Sequence, residues 1–145
     1  MLLYVASLNE RAIENLMVSY AYANDDANIK RLGDLFEKAV ITIDKITASG
    51  RKEIEALAGQ LIVPGADGWS STTHEITNIM IEMNTDGKSA QGSTYWTLYQ
   101  TVSGTLRVAV ISGRYQDKFE LINKQWIFKV RNASILWKLD EAMFK

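Results

Sequence analysis

The chain has 145 residues, a length at which a single core can bury roughly two thirds of the unfolded surface. Hydrophobic residues make up 47% and charged residues 23%, the balance of an ordinary globular domain. Sixteen Lys and Arg against seventeen Asp and Glu leave a net charge of -1, so no basic field is available for nucleic acid and no polybasic arm for a membrane surface. The absence of cysteine and the presence of one histidine, His74, exclude disulfides, thiolate metal sites, cysteine nucleophiles and any site needing two imidazoles.

The opening stretch from Met1 to Ala6 is apolar but short, has no basic residue before it and runs into Asn9-Glu10-Arg11. It is not expected to be a secretory signal, and no run approaches the roughly 20 apolar residues of a membrane helix. A single domain over 1–145 in the cytoplasm is the expectation. Ser7-Leu8-Asn9-Glu10 has capping-box spacing, and Leu8, Ile13, Leu16, Met17 and Tyr20 then recur as one helical face. Three short polar residues, Asn24-Asp25-Asp26, favour a turn. A second helix is predicted from Ala27 to Phe36, a strand over Ala39–Ile43, a turn at Ser49-Gly50 and a third helix from Arg51 to Leu61. The only proline, Pro64, opens a glycine-rich loop that ends at Gly68.

From Thr72 the texture changes to long strands. One is predicted over Thr73–Asn84 and a second over Lys88–Val102, joined by the hairpin signal Asp86-Gly87. In the second, Ala90, Trp96, Leu98 and Val102 share one side, and Tyr95 and Tyr99 the other. Ser103-Gly104 turns into a third strand, Leu106–Leu121, in which Gly113 signals a bulge or a bend. Asn123-Lys124 leads to a fourth, Gln125 to about Leu136, where strict alternation sets Arg131 with Lys129 and opposite Trp126, Phe128 and Val130. Helices followed by antiparallel strands make an α+β pattern, and a strongly curved sheet wrapped around helices leaves a cavity between the layers.

Candidate chemistry is sparse. His74 in a half-buried strand is compatible with a purely structural role, Asp25 with a turn carboxylate, Tyr20 with a core position and Arg131 with a solvated face. Taken together, a carboxylate that fixes an imidazole tautomer, a phenol and a guanidinium make a proton-transfer site that needs no metal or cofactor. No phosphate-cradling glycine motif and no metal-ligand spacing is present.

Several segments carry a resemblance. Tyr20 to Asn28 resembles the tyrosine-to-aspartate signature of SnoaL-like proteins in the nuclear transport factor 2-like superfamily. Leu32 to Phe36, Gly50 to Ile54, the His-x-x-x-Asn start His74 to Asn78, Gly113 to Asp117 and Trp126 to Arg131 follow in the expected order, so that the resemblance spans residues 8 to 135. It implies a cone-shaped α+β barrel of three helices on a mostly antiparallel sheet, often a homodimer or homotrimer through the sheet face. Enzymes of similar type include bile-acid dehydratases, scytalone dehydratase, a hexachlorocyclohexane dehydrochlorinase, ketosteroid isomerase and polyketide cyclases. Non-catalytic members include the β subunits of ring-hydroxylating dioxygenases.

Carried over by position, Asp25 and His74 match an aspartate–histidine dyad, Tyr20 the dehydratase tyrosine and Arg131 an arginine of the last strands. The chain departs from scytalone dehydratase in lacking a second histidine. The resemblance thus implies a cofactor-independent lyase or isomerase acting on a small, mostly apolar cyclic or polyketide-like substrate. The competing reading is a ligand-binding or assembly module of the same fold. Contact between Asp25 and His74 at an apolar-lined pocket discriminates the two. Tyr95, Tyr99, Trp96, Trp126 and Phe128 are too many aromatics for one small cone to bury on its inner face, so the outer sheet face is expected to pair with a second copy.

Overall fold

The computed structural model of the chain describes residues 1–68, 70–102, 104 and 106–140. Its first helix, α1, covers Leu2–Asp25, five residues earlier than Ser7 suggested. Leu and Ala are strong helix formers and nothing between Met1 and Ser7 interrupts them, so the serine lies inside the helix and the capping box is not used. Ile13, Met17 and Tyr20 are buried as the periodicity requires, whereas Leu8 is exposed. The short α2 (Ile29–Leu35) starts at Asn28, whose side chain accepts the Arg31 N–H at 3.0 Å, an N-cap that satisfies one of the free donors of the first turn. The third helix, α3, spans Gly50–Leu61, and the Glu53 carboxylate reaches back to accept the Ser49 N–H at 2.8 Å. Among the described residues no helix is long and apolar enough to cross a membrane.

Six strands form one mixed sheet. They are β1 (Val40–Ile43), β2 (Ile46–Ser49), β3 (Thr72–Met83), β4 (Ser89–Val102), β5 (Leu106–Ile122) and β6 (Gln125–Lys138). The order is β2-β1-β6-β5-β4-β3, so the sheet is open, with β2 and β3 as its edges, and does not close on itself. All neighbours are antiparallel except β1 and β6, which run parallel. The sequence reading gave no strand at β2, because four residues after a two-residue turn carry little periodicity.

The turns obey their chemistry. Asn123 and Lys124 both have positive φ, 50° and 64°, as a two-residue type I′ hairpin requires. At the hairpin between β3 and β4, Gly87 has φ 66° and Asp86 accepts the Lys88 and Ser89 N–H groups at 2.8 and 3.0 Å. Of the Ser103-Gly104 turn, Ser103 lies outside the described residues, as does the direction in which Val102 faces.

Irregularities in register recur along the long strands, between Thr77 and Met80, at Leu98/Tyr99, at Ser112/Gly113 and at Lys118/Phe119. Bulges of this kind bend a strand and change the phase of its alternation. The last of them corrects the reading of β6. Lys118 pairs with Val130 but Phe119 with Phe128, so Lys129 is the extra residue. Arg131 consequently lies on the same inner face as Trp126 and Phe128, all three buried, rather than with Lys129.

The helices cover that inner face. Phe36 stacks on Phe128 with centroids 4.6 Å apart, and Ile13 and Met17 of α1 pack into the same cluster as Phe119. Trp96, Trp126 and Phe128 are thus all internal, and only Tyr95 and Tyr99 of the five aromatics face outward, each with an arginine over its ring (Arg114 at 5.3 Å and Arg107 at 4.9 Å). The surplus of aromatics expected on the outer face does not exist. Gly113 shows why one internal ring fits: a Cβ there would run into the Ser134 carbonyl and lie 2.8 Å from the Trp96 ring. Its bare backbone lets the indole lie against β5.

Candidate active site

The C-terminal end of α1 delivers one half of the site. The helix stays regular through Asp25 and closes with Asp26 N–H donating to Tyr22 O at 2.8 Å and Asn28 N–H to Ala23 O at 2.8 Å. The chain then reverses at Ala27, whose φ is 51°. The Asp25 carboxylate turns inward without any loosening of the helix at Asn24-Asp25. The other half comes from the start of β3, where His74 pairs in register with Leu98.

Asp25 grips His74 twice. Its Oδ1 lies 2.7 Å from the imidazole Nδ1, and its Oδ2 accepts the His74 backbone N–H at 2.8 Å. The two-point contact fixes both the strand and the ring. Side-chain exposures of 17% for Asp25 and 13% for His74 keep competing water largely away. A carboxylate accepts, so Nδ1 carries a proton and donates, and in the neutral imidazole the lone pair is then on Nε2. The carbonyl of Asp25 also accepts the Ser70 N–H at 3.0 Å, tying the loop before β3 to the same helix end.

His74 opens onto a cavity of about 410 Å³. One wall is apolar, with Ile43, Ile62, Leu98, Ile111 and Trp96. Ser70, Ser71, Thr72, Asn24, Gln100 and the phenols Tyr20 and Tyr115 supply the polar positions. Asp25 does not line it and stands behind the imidazole. Tyr20 meets His74 edge to face with centroids 6.4 Å apart, and meets Tyr115 in the same way at 5.7 Å. Burial raises both phenol pKa values, Tyr115 well above the ordinary value. The proximity of Tyr20 adds to the rise at Tyr115, and the Arg131 charge partly offsets both. Both phenols therefore stay protonated and act as hydrogen-bond donors.

Arg131 is placed otherwise than expected. It reaches the inner layer but does not line the cavity, and it is fully buried. Its Nε and Nη2 donate to the two carboxylate oxygens of Asp117 at 2.8 and 2.7 Å, a bidentate pair. Its guanidinium carbon lies 3.9 Å from the Tyr115 centroid, 4.4 Å from Tyr20 and 4.9 Å from Phe128. Burial alone would lower its pKa, but the Asp117 charge and hydrogen bonds outweigh that and raise it. The guanidinium is thus a permanent cation beneath the phenols, shielded from the cavity by their rings. Among the described residues, the buried donors Trp96 Nε1 and Arg131 Nη1 have no hydrogen-bond partner, and both side chains stack against Tyr115.

The structure accordingly brings Asp25, His74 and Tyr20 together and sets Arg131 one layer back. Sequence reasoning missed Tyr115 and Asp117. The alternation Gly113, Tyr115, Asp117 placed them on one face, but without the bulge at Lys129 the hairpin register sets Asp117 opposite Val130 instead of Arg131. Among the described residues no group of three His, Cys, Asp or Glu is placed to hold a metal.

Solved structures share the whole architecture. LinA matches with 22% identity and a TM-score of 0.79, over 97% of this chain and 96% of that one. A hexachlorocyclohexane dehydrochlorinase, LinA-type3 of Novosphingobium barchaimii LL02, matches with 19% identity and a TM-score of 0.76, over 92% and 90%. A protein of Novosphingobium aromaticivorans provisionally assigned as a scytalone dehydratase matches with 23% identity and a TM-score of 0.74, over 93% and 89%. At these identities the likeness establishes the fold. No curated protein matches the sequence. The profile of the SnoaL-like domain matches residues 6–132, nearly the whole of the chain, which therefore belongs to the SnoaL-like family.

Proposed function

We propose that this SnoaL-like protein is a cofactor-independent lyase or isomerase acting on a small, mostly apolar cyclic or polyketide-like molecule. The observation that carries the proposal is the 2.7 Å contact between Asp25 and His74 at the edge of a cavity with a largely apolar lining. In the proposed step, His74 Nε2 takes a proton from a carbon beside an activating group. The C–H bond breaks, an N–H bond forms, and the electron pair moves into a new C=C bond. In a lyase the leaving group departs with its own bonding pair; in an isomerase the pair rests on a carbonyl oxygen until another carbon is reprotonated. Asp25 stabilises the imidazolium formed. Tyr20 donates a hydrogen bond to the carbonyl or leaving hydroxyl, and the Arg131 charge acts on that oxygen through the phenols rather than by contact.

General base help of this kind contributes roughly 10²- to 10⁴-fold, and oriented donors in a dry cavity contribute further. The named activities of LinA-type relatives, which are eliminations, support the same class. The competing reading is a ligand-binding or assembly module of the same fold; the Asp25–His74 contact favours the enzyme, while a ligand-binding module would share the cavity.

The test is proton exchange. A panel of neutral cyclic ketones and β-hydroxyketones in D₂O is followed by NMR for deuterium uptake beside the carbonyl. Wild-type protein is expected to accelerate exchange for at least one member and His74→Ala to lose the acceleration while melting as a folded protein. Exchange at the buffer rate across the panel, or an unaffected His74→Ala, refutes the base role.

A further inference from the structure

The proposed reaction leaves negative charge on an oxygen, and the residues around the cavity indicate how that oxygen is held. Among the described residues lining it there is no Lys, Arg, Asp or Glu. The nearest cation, Arg131, has both oxygens of Asp117 on its Nε and Nη2 and aromatic rings within 5 Å on three sides. A substrate carboxylate or phosphate entering the cavity would meet no counter-ion, and burying an unpaired charge is costly.

Polar hydrogens are nevertheless gathered at one place. Tyr20 comes from α1 and Tyr115 from β5, yet their rings meet edge to face with centroids 5.7 Å apart, and both line the cavity beside His74. Each ring is braced from behind by the same guanidinium, and Tyr115 is further clamped against Trp96, with rings 14° from parallel and centroids 5.4 Å apart. Neither phenol can swing away without breaking a stack. Such fixed, buried donors are what an oxygen bearing developing charge requires.

From this placement we infer that Tyr115, together with Tyr20, forms a two-phenol donor site for one oxygen of an uncharged substrate, a carbonyl or enol, and that the cavity selects against acids. Tyr115 thereby becomes a substrate-contacting residue in addition to the dyad and Tyr20. The inference rests on the proposed function for its role in turnover, but the binding it predicts is measured without turnover.

The test uses three probes of one shape with the full chain: 2-naphthol, naphthalene and 2-naphthoate, with binding measured by fluorescence and calorimetry. The naphthol hydroxyl stands for the enol oxygen. One neutral hydrogen bond corresponds to about a two- to twelvefold change in affinity. Tyr115→Phe, which keeps the stacked ring, is expected to weaken 2-naphthol binding by that factor and to leave naphthalene unchanged. The naphthoate is expected to bind at least tenfold more weakly than the naphthol in wild type. Binding of 2-naphthol is read without any turnover, so failure of the base mechanism would not imitate failure of this inference. Equal affinity of wild type and Tyr115→Phe for 2-naphthol overturns it, as does naphthoate binding as tightly as naphthol. Absence of 2-naphthol binding up to about 1 mM overturns it as well.

Discussion

Replacing Asp117 by Asn is the perturbation whose cost the structure defines most tightly. Both side chains of the Asp117–Arg131 pair are 0% exposed, and the contact is bidentate at 2.8 and 2.7 Å. The amide would keep the shape but remove the charge and turn an acceptor into a donor facing the guanidinium, leaving a buried cation uncompensated. Removing one partner of such a pair costs roughly 3–5 kcal/mol, a third or more of the stability of many domains. For a chain of this length the melting temperature should fall by about 6–20 °C. Urea denaturation followed by tryptophan fluorescence should show a lower midpoint with an unchanged slope. The double variant Asp117→Leu, Arg131→Met isolates the cause. It removes both charges, loses the stacking of the guanidinium on three rings, worth roughly 0.5–2 kcal/mol, and should be far less destabilised than Asp117→Asn alone. If Asp117→Asn costs less than about 1 kcal/mol, or the double variant is worse than the single one, the buried-pair argument fails.

Other outcomes follow from particular contacts. Gly113→Ala should destabilise by roughly 1–3 kcal/mol or more, because its Cβ meets the Ser134 backbone and the Trp96 ring. Gly33→Ala should cost under about 1 kcal/mol, since what its Cβ meets is the movable Glu55 side chain; thermal melts compare the two. The raised pKa values of Tyr20 and Tyr115 favour the neutral phenols in the folded state. They contribute stability that is fully present below the unfolded phenol value of about 10 and lost as pH rises towards the folded values. Urea midpoints should therefore fall above about pH 10, less steeply in Tyr115→Phe; equal slopes for the two proteins would contradict the burial argument. For assembly we propose a homodimer or homotrimer through the outer sheet face. Light scattering should give two or three times the chain mass of 16.3 kDa, and a monomer at micromolar concentration rules the proposal out.

The sequence carried most of the α+β layout because its signals are local. Helical spacing placed Ile13, Met17 and Tyr20 on one face, and Asn123-Lys124 marked a hairpin whose backbone angles only a few residue types tolerate. Asp25 and His74, 49 positions apart, could be joined only through the family resemblance, since no periodicity links a helix end to a strand start. What remained hidden is non-local. The bulge at Lys129 reversed the expected face of Arg131 and moved Asp117 opposite it, and the change of phase gave little hydrophobic signal because the inward residues after the bulge are Arg131 and Ala133. The outer-face argument failed for the same reason: the reading did not allow for Gly113, whose missing side chain admits Trp96 to the inner layer. The interior of the site, Tyr115 above all, depended on that register.

The solitary histidine makes the central claim directly measurable. Protein labelled with ¹⁵N in histidine carries one imidazole, so its two ring nitrogens give the only signals of their kind. At the pH of fastest exchange, the account predicts a protonated Nδ1 donating to Asp25 and an unprotonated Nε2, with this tautomer lost in Asp25→Asn. A proton found on Nε2, or a spectrum indifferent to Asp25→Asn, would contradict a base held and aimed by Asp25.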